Sequence, residues 1–111
     1  FHTYGDLSKA YSDINDNHTK ILMSHTPAHW HTDIRNTDCK VDLTLSGHTH
    51  GMQFEIFGWS PIAFRYDEWS GLYIDERNHQ IYVNIGLGTV GFPARIGATP
   101  EITLITLKNE K

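Results

Sequence analysis

Cys39 is the only cysteine, so the chain can form no internal disulfide and no thiolate metal cluster. Positive charge is not in excess either. The formal net charge is -4, with acids and bases mixed along the chain. No basic stripe exists to displace counterions, which excludes nucleic acid as an electrostatically held partner. No apolar run approaches the roughly 18 residues of a membrane span, and the N-terminus lacks the basic-then-apolar order of a signal peptide. Internal repeats, low-complexity tracts and Pro/Ser-rich linkers are missing too. A hydrophobic content of 39% and a charged content of 20% disfavour the disordered and fibrous classes. The 111 residues suffice for one core, so a single domain over 1–111 is expected. What the chain does have is histidine, eight of them. Neutral imidazole is a common transition-metal ligand and the side chain that titrates nearest neutrality.

Asp6 is placed to cap a helix in which Leu7, Ala10, Tyr11 and Ile14 recur at helical spacing, and Asn15 to Asn17 end it. Lys20 to His25 is a short apolar run stopped by Pro27, and Val41 to Ser46 is a second stopped by Gly47. Both read as buried strands, with a short helix or loop from Ala28 to Lys40 between them. Met52 to Phe57 reads as a further strand. Leu72 to Asp75 and Ile81 to Ile85 alternate with period two around the polar segment 76–80, which predicts an antiparallel hairpin. The stretch 86–93 is too glycine-rich for regular structure, and Glu101 to Leu107 reads as a last strand. The expected class is α+β, with a mostly antiparallel sheet and one or two helices.

The strongest chemical signal is Ser46-Gly47-His48-Thr49-His50-Gly51. In extended backbone, residues two apart project to the same side, roughly 7 Å apart. That spacing suits two metal ions about 3.5 to 4 Å apart, each held by one imidazole. The second signal is Ser24-His25-Thr26-Pro27, another histidine at a strand end. Ligand sites gather outside the carboxyl ends of strands, and two successive strand ends here deliver histidine.

These blocks resemble the last two signature blocks of the calcineurin-like metallophosphoesterases, an isolated histidine followed by G-H-x-H. The later segments 82–89 and 100–107 are similar to the branch that contains exported and membrane-associated bacterial members. The resemblance implies a four-layer α/β/β/α sandwich, of which this chain is the C-terminal portion. It implies two divalent ions (manganese, iron or zinc), with His25 and His48 on one and His50 on the other, acting on a phosphate-ester substrate. The family's Asp-x-His block, its bridging aspartate and its Asn-His block, whose histidine assists catalysis, do not precede His25, and Gly5-Asp6 is a poor match to any of them. The chain is therefore expected to belong to a longer enzyme that carries the catalytic histidine upstream, along with any membrane anchor. Alone it is expected to be inactive, to hold at most one ion weakly, and to self-associate.

Arg95, in the glycine-rich segment, is a candidate phosphate donor. His29 and His31 follow Pro27 and are expected in ordinary polar roles, while His2, His18 and His79 are expected to be exposed. Trp30, Trp59 and Trp69 are expected to pack, and Asp67 and Glu68 to be solvated. Two other readings stay open, a small non-catalytic histidine-based metal-binding module and a β-rich interaction domain without chemistry.

Overall fold

Asp6 starts the first helix as expected. In the computed structural model, which describes residues 5–15 and 17–109, its carboxylate accepts the Lys9 N–H at 3.0 Å. Helix α1 is short, Leu7–Tyr11, and Ile14 lies beyond it. Strand β1 is Ile21–Ser24. Thr26 then caps α2, Pro27–His29, by accepting the Ala28 N–H, with Pro27 at the first position, where its missing donor costs nothing. A π-helical turn, Trp30–Ile34, continues it. Strands β2, Leu43–Ser46, β3, Gly71–Ile74, and β4, Gln80–Val83, complete one sheet in the order β1-β2-β4-β3.

The α+β class holds, but the sheet is mixed rather than mostly antiparallel. β1 pairs with β2 and β2 with β4 in parallel, and only β3 with β4 is antiparallel. The connection 25–42 carries α2 and the π-helical turn across the sheet, and a crossover of that kind delivers a parallel neighbour. The hairpin prediction is correct. Leu72 pairs with Tyr82 and Ile74 with Gln80, so these four side chains share one face.

The opposite face carries the core. Trp30, Ile34, Val41, Ile81 and Val83 are buried together, with Leu7, Leu22 and Tyr73 packed against them. Burying side chains of this size stabilises by about 1.5 to 3 kcal/mol each. The face shared by Leu72 and Ile74 is open. It also presents Ile21 and Met23, the latter 82% exposed, so β1 is an edge strand with one bare face and not a buried strand. Strands apolar on both faces are the pattern of a sheet built to be covered twice.

Two expected strands do not form. At 52–57, Met52 and Gln53 take φ of 51° and 56°, which breaks extension, and only isolated bridges remain, Phe54 with Ile96 and Ile56 with Trp59. The stretch 101–107 forms no strand. It is tethered by the Glu101 N–H to the Gly86 carbonyl, and Ile102 and Leu104 are exposed. His79 is not exposed as expected. It is 9% exposed, and Nδ1 lies 2.9 Å from Asp75, whose other oxygen accepts the Arg77 and His79 N–H groups and so shapes the hairpin turn. Glu68 is likewise buried, with His31 Nδ1 3.0 and 3.1 Å from its oxygens. Asp67 is exposed and Trp30 is in the core, as expected. His2 and Asp16 lie outside the described residues.

Candidate metal centre

Parallel pairing is what brings the two histidine blocks together. Ser24 is in register with Ser46, and Ser46 with Val83, so the chain leaves all three strands at one edge. The Gly47 N–H donates to the His25 carbonyl at 3.3 Å, and the Asn84 N–H to that of Ser46 at 2.9 Å. The backbone of 48–50 is not extended as expected. β2 stops at Ser46, and the Thr49 N–H closes a three-residue turn onto the Gly47 carbonyl at 2.8 Å, with His48 at its centre at φ 71°. This is the rarer, strained hand of such a turn. His50, Gly51, Met52 and Gln53 follow at φ between 51° and 56°, a conformation that costs non-glycine residues about 1 to 2 kcal/mol each.

Neighbouring contacts hold this strained loop in place. Thr49 Oγ1 donates to the Trp69 carbonyl at 2.7 Å, and Ser60 Oγ to that of Gly51 at 2.6 Å. Gln53, 2% exposed, donates through Nε2 to the carbonyls of Phe92 and Ala94 at 2.9 and 2.7 Å, and its Oε1 accepts the Val90 N–H. Gln53 thereby shapes the glycine-rich segment, a role that its place in the expected strand concealed.

The ring centres of His25 and His48 lie 4.5 Å apart. Tyr66 meets the His48 ring edge-on at 6.2 Å. Although His48 is exposed as a residue, packing on its ring removes part of its hydration. This partial desolvation, followed by the like charges of His25, His50 and Arg65, holds its imidazole below the ordinary histidine pKa. His50 Nδ1 is buried with no hydrogen-bond partner. Among the described residues, no group of three His, Cys, Asp or Glu side chains converges tightly enough to hold a metal ion.

Arg95 braces the glycine-rich segment, donating three of its five guanidinium N–H groups to the carbonyls of Gly88, Ala98 and Ile85 at 2.8, 3.1 and 2.7 Å. The arginine whose charge reaches His48 is Arg65, which sequence pattern did not single out. His29 Nδ1 lies 3.1 Å from Ser24 Oγ, and His18 is exposed.

An isolated histidine and a G-H-x-H loop juxtaposed at parallel strand ends define a class of site, and similarity to known proteins gives that class a family. An uncharacterized metallophosphoesterase of Bacillus subtilis, YkuE, is 39% identical over 94% of this chain and 36% of its own length. An uncharacterized metallophosphoesterase of Helicobacter pylori is 37% identical over 92% of this chain and 27% of its own length. A transmembrane protein with metallophosphoesterase domain from Danio rerio is 35% identical over 93% and 23%. The chain belongs to the calcineurin-like metallophosphoesterase family. It spans about a third or less of the length of these relatives. No family model and no solved structure matches it.

Proposed function

We propose that this chain is the C-terminal portion of a single metallophosphoesterase domain, and that it supplies His25, His48 and His50 to a two-metal centre that hydrolyses phosphate esters. The observation that carries this reading is the pair of imidazoles 4.5 Å apart at adjacent strand ends. The depressed pKa of His48 favours the neutral, ligating form, and the buried, unpartnered Nδ1 of His50 lacks only an acceptor of its lone pair or proton. His25 and His48 would hold one divalent ion and His50 the other, with manganese, iron and zinc all suited to nitrogen and carboxylate ligands. When bound, the ions lower the pKa of a water and stabilise charge on the phosphoryl oxygens.

This chain's part would be to present three imidazoles from one end of the sheet. Thr49 and Ser60 fix the loop from behind. None of the three histidines brings negative charge, and in this reading the bridging carboxylate and the catalytic histidine would be supplied by a part of the protein outside residues 1–111. No helix among the described residues is long and apolar enough to cross a membrane. By itself the chain should self-associate through the bare sheet face of Ile21, Met23, Leu72 and Ile74.

The test compares the full-length protein with residues 1–111 alone, assayed on an aryl phosphate and an aryl diester with added manganese or zinc. Bound metal is counted by elemental analysis, and oligomeric state by analytical ultracentrifugation. The full-length protein should turn over and bind two ions, and His25→Ala or His48→Ala should lower both readings. Residues 1–111 alone should bind at most one ion and show no turnover. Turnover by residues 1–111 that His48→Ala abolishes would show that this chain completes the centre by itself and overturn the reading.

A further inference from the structure

The segment that follows the histidine loop is tied to it at both ends. Ser60, fully buried, donates its hydroxyl proton to the Gly51 carbonyl at 2.6 Å and caps the 3₁₀ turn Pro61–Phe64 by accepting the Ile62 N–H. The Ile62 carbonyl in turn accepts the Tyr66 N–H at 3.0 Å. Beyond Tyr66, the buried Glu68 carboxylate holds His31 of the π-helical turn, and the Trp69 carbonyl takes the Thr49 hydroxyl. Tyr66 sits between these anchors, 7% exposed, with the Arg65 guanidinium carbon 5.8 Å from its ring centre. Its ring meets that of His48 at 6.2 Å and 88°, within the edge-to-face range of aromatic pairs. His48 needs such support. It is exposed, it lies at the centre of a strained turn at φ 71°, and the His25 ring 4.5 Å away comes from the end of another strand.

We propose that Tyr66 is a positioning residue for the metal centre, one that sets the orientation of the His48 ring and so the direction of its ligating nitrogen. The inference rests on the reading of His25, His48 and His50 as metal ligands. A ligand must offer its lone pair along one line at about 2.0 to 2.1 Å, and an imidazole on an exposed turn can rotate about two side-chain torsions away from that line. Residues around a metal site commonly prevent this by orienting the ligand rings. Tyr66 supplies the restraint by contact. Rotation of His48 out of the edge-to-face arrangement either forfeits the attraction between the rings or drives the imidazole against a wall that Ser60 and Trp69 hold still. The two anchors end on Gly51 and Thr49, the neighbours of His50. One fastened segment therefore governs the ring of one histidine and the backbone of the other.

The experiment uses the full-length protein as wild type, Tyr66→Phe, Tyr66→Leu, His48→Ala and the combination of Tyr66→Leu with His48→Ala. Manganese affinity is measured by calorimetry, ligand geometry by the visible spectrum of the cobalt form, and turnover of an aryl phosphate by steady-state kinetics. Thermal melts confirm folding, and Tyr66→Met replaces Tyr66→Leu if the latter does not fold. Tyr66→Leu should lose about 10- to 100-fold in manganese affinity, the range for residues that orient a metal ligand, and shift the cobalt bands. Tyr66→Phe keeps the ring and should keep the wild-type affinity and spectrum. In the His48→Ala background, Tyr66→Leu should cost nothing further, because the ring it acts through is gone. Wild-type affinity and spectrum in a folded Tyr66→Leu would overturn the proposal while leaving the histidine reading intact. Equal losses in Tyr66→Phe and Tyr66→Leu would assign the effect to the hydroxyl, and losses that add in the combined variant would show a merely structural role; either result also overturns it. Undiminished metal affinity in His48→Ala would sink the histidine reading and this one with it.

Discussion

Replacing Gln53 tests how the loop under the histidines is held. Its side chain makes three hydrogen bonds to the backbone of 90–94 from a position 2% exposed, and its own backbone sits at φ 56°. Each such bond contributes about 0.5 to 1.5 kcal/mol net. Val90, Phe92 and Ala94 are exposed, so their freed groups can turn to water, and the loss should stay near the middle of the summed range, about 3 kcal/mol for Gln53→Ala. Gln53→Gly loses the same bonds but relieves left-handed strain of about 1 kcal/mol. It should therefore be the milder variant, by about that amount. Urea unfolding of the full-length protein measures both, and limited proteolysis should show earlier cleavage within 86–94. An alanine variant within about 0.5 kcal/mol of wild type, or a glycine variant less stable than the alanine one, would refute the reasoning.

Gly97→Ala should be among the most damaging substitutions in the chain. An added Cβ would lie 1.7 Å from the Glu55 carbonyl oxygen, in backbone that exchanges bonds of 2.7 and 2.6 Å between Glu55, Ile96 and Gln53. A loss above about 3 kcal/mol is expected by denaturant titration, and a near-neutral result would contradict the packing described. The Asp75 carboxyl feels burial, which raises its pKa, but the His79 backbone and imidazole bonds and the Arg77 N–H outweigh this and hold it below the ordinary value. A depressed carboxylate contributes stability above its unfolded pKa and loses it as pH falls through the folded one. The stability gap between wild type and Asp75→Asn should therefore narrow on acidification below about pH 4. Melts at neutral and acid pH check this, and a constant gap would refute it.

The parts of this molecule with local causes could be read from the sequence. Asp6 capping, Thr26-Pro27 starting a helix, and the period-two alternation around Asp75 to Gln80 depend on neighbours in the chain, and each element formed. The two histidine blocks were legible for a related reason, because Pro27 and Gly47 mark strand ends. What escaped was set by distant partners. Parallel pairing of β1 with β2 depends on the crossover, although strands apolar on both faces were a clue to it. The left-handed run from His50 to Gln53 is imposed by bonds to Ser60, Trp69 and the 90–94 backbone, against local preference. Arg65 and Arg95 are indistinguishable as letters. Only the carbonyls around one and the tyrosine beneath the other separate them. Glu68 and His79 look like solvated loop residues until their partners, His31 and Asp75, are in view.

The shared register of β1 and β2 makes the chain unevenly tolerant of insertions and deletions. A residue added in the exposed stretch around Asn36 to Asp38 only lengthens a connection. The pairing of Ser24 with Ser46 survives, and His25 still meets His48. One residue removed inside β1 slides every later position by about 3.3 Å and turns it to the other face of the sheet. Leu22 then leaves the core, and His25 leaves its partner in the same step. Among natural sequences of this family, length variation should therefore collect on the helical side of the crossover and stay out of Ile21–Ser24 and Leu43–Ser46.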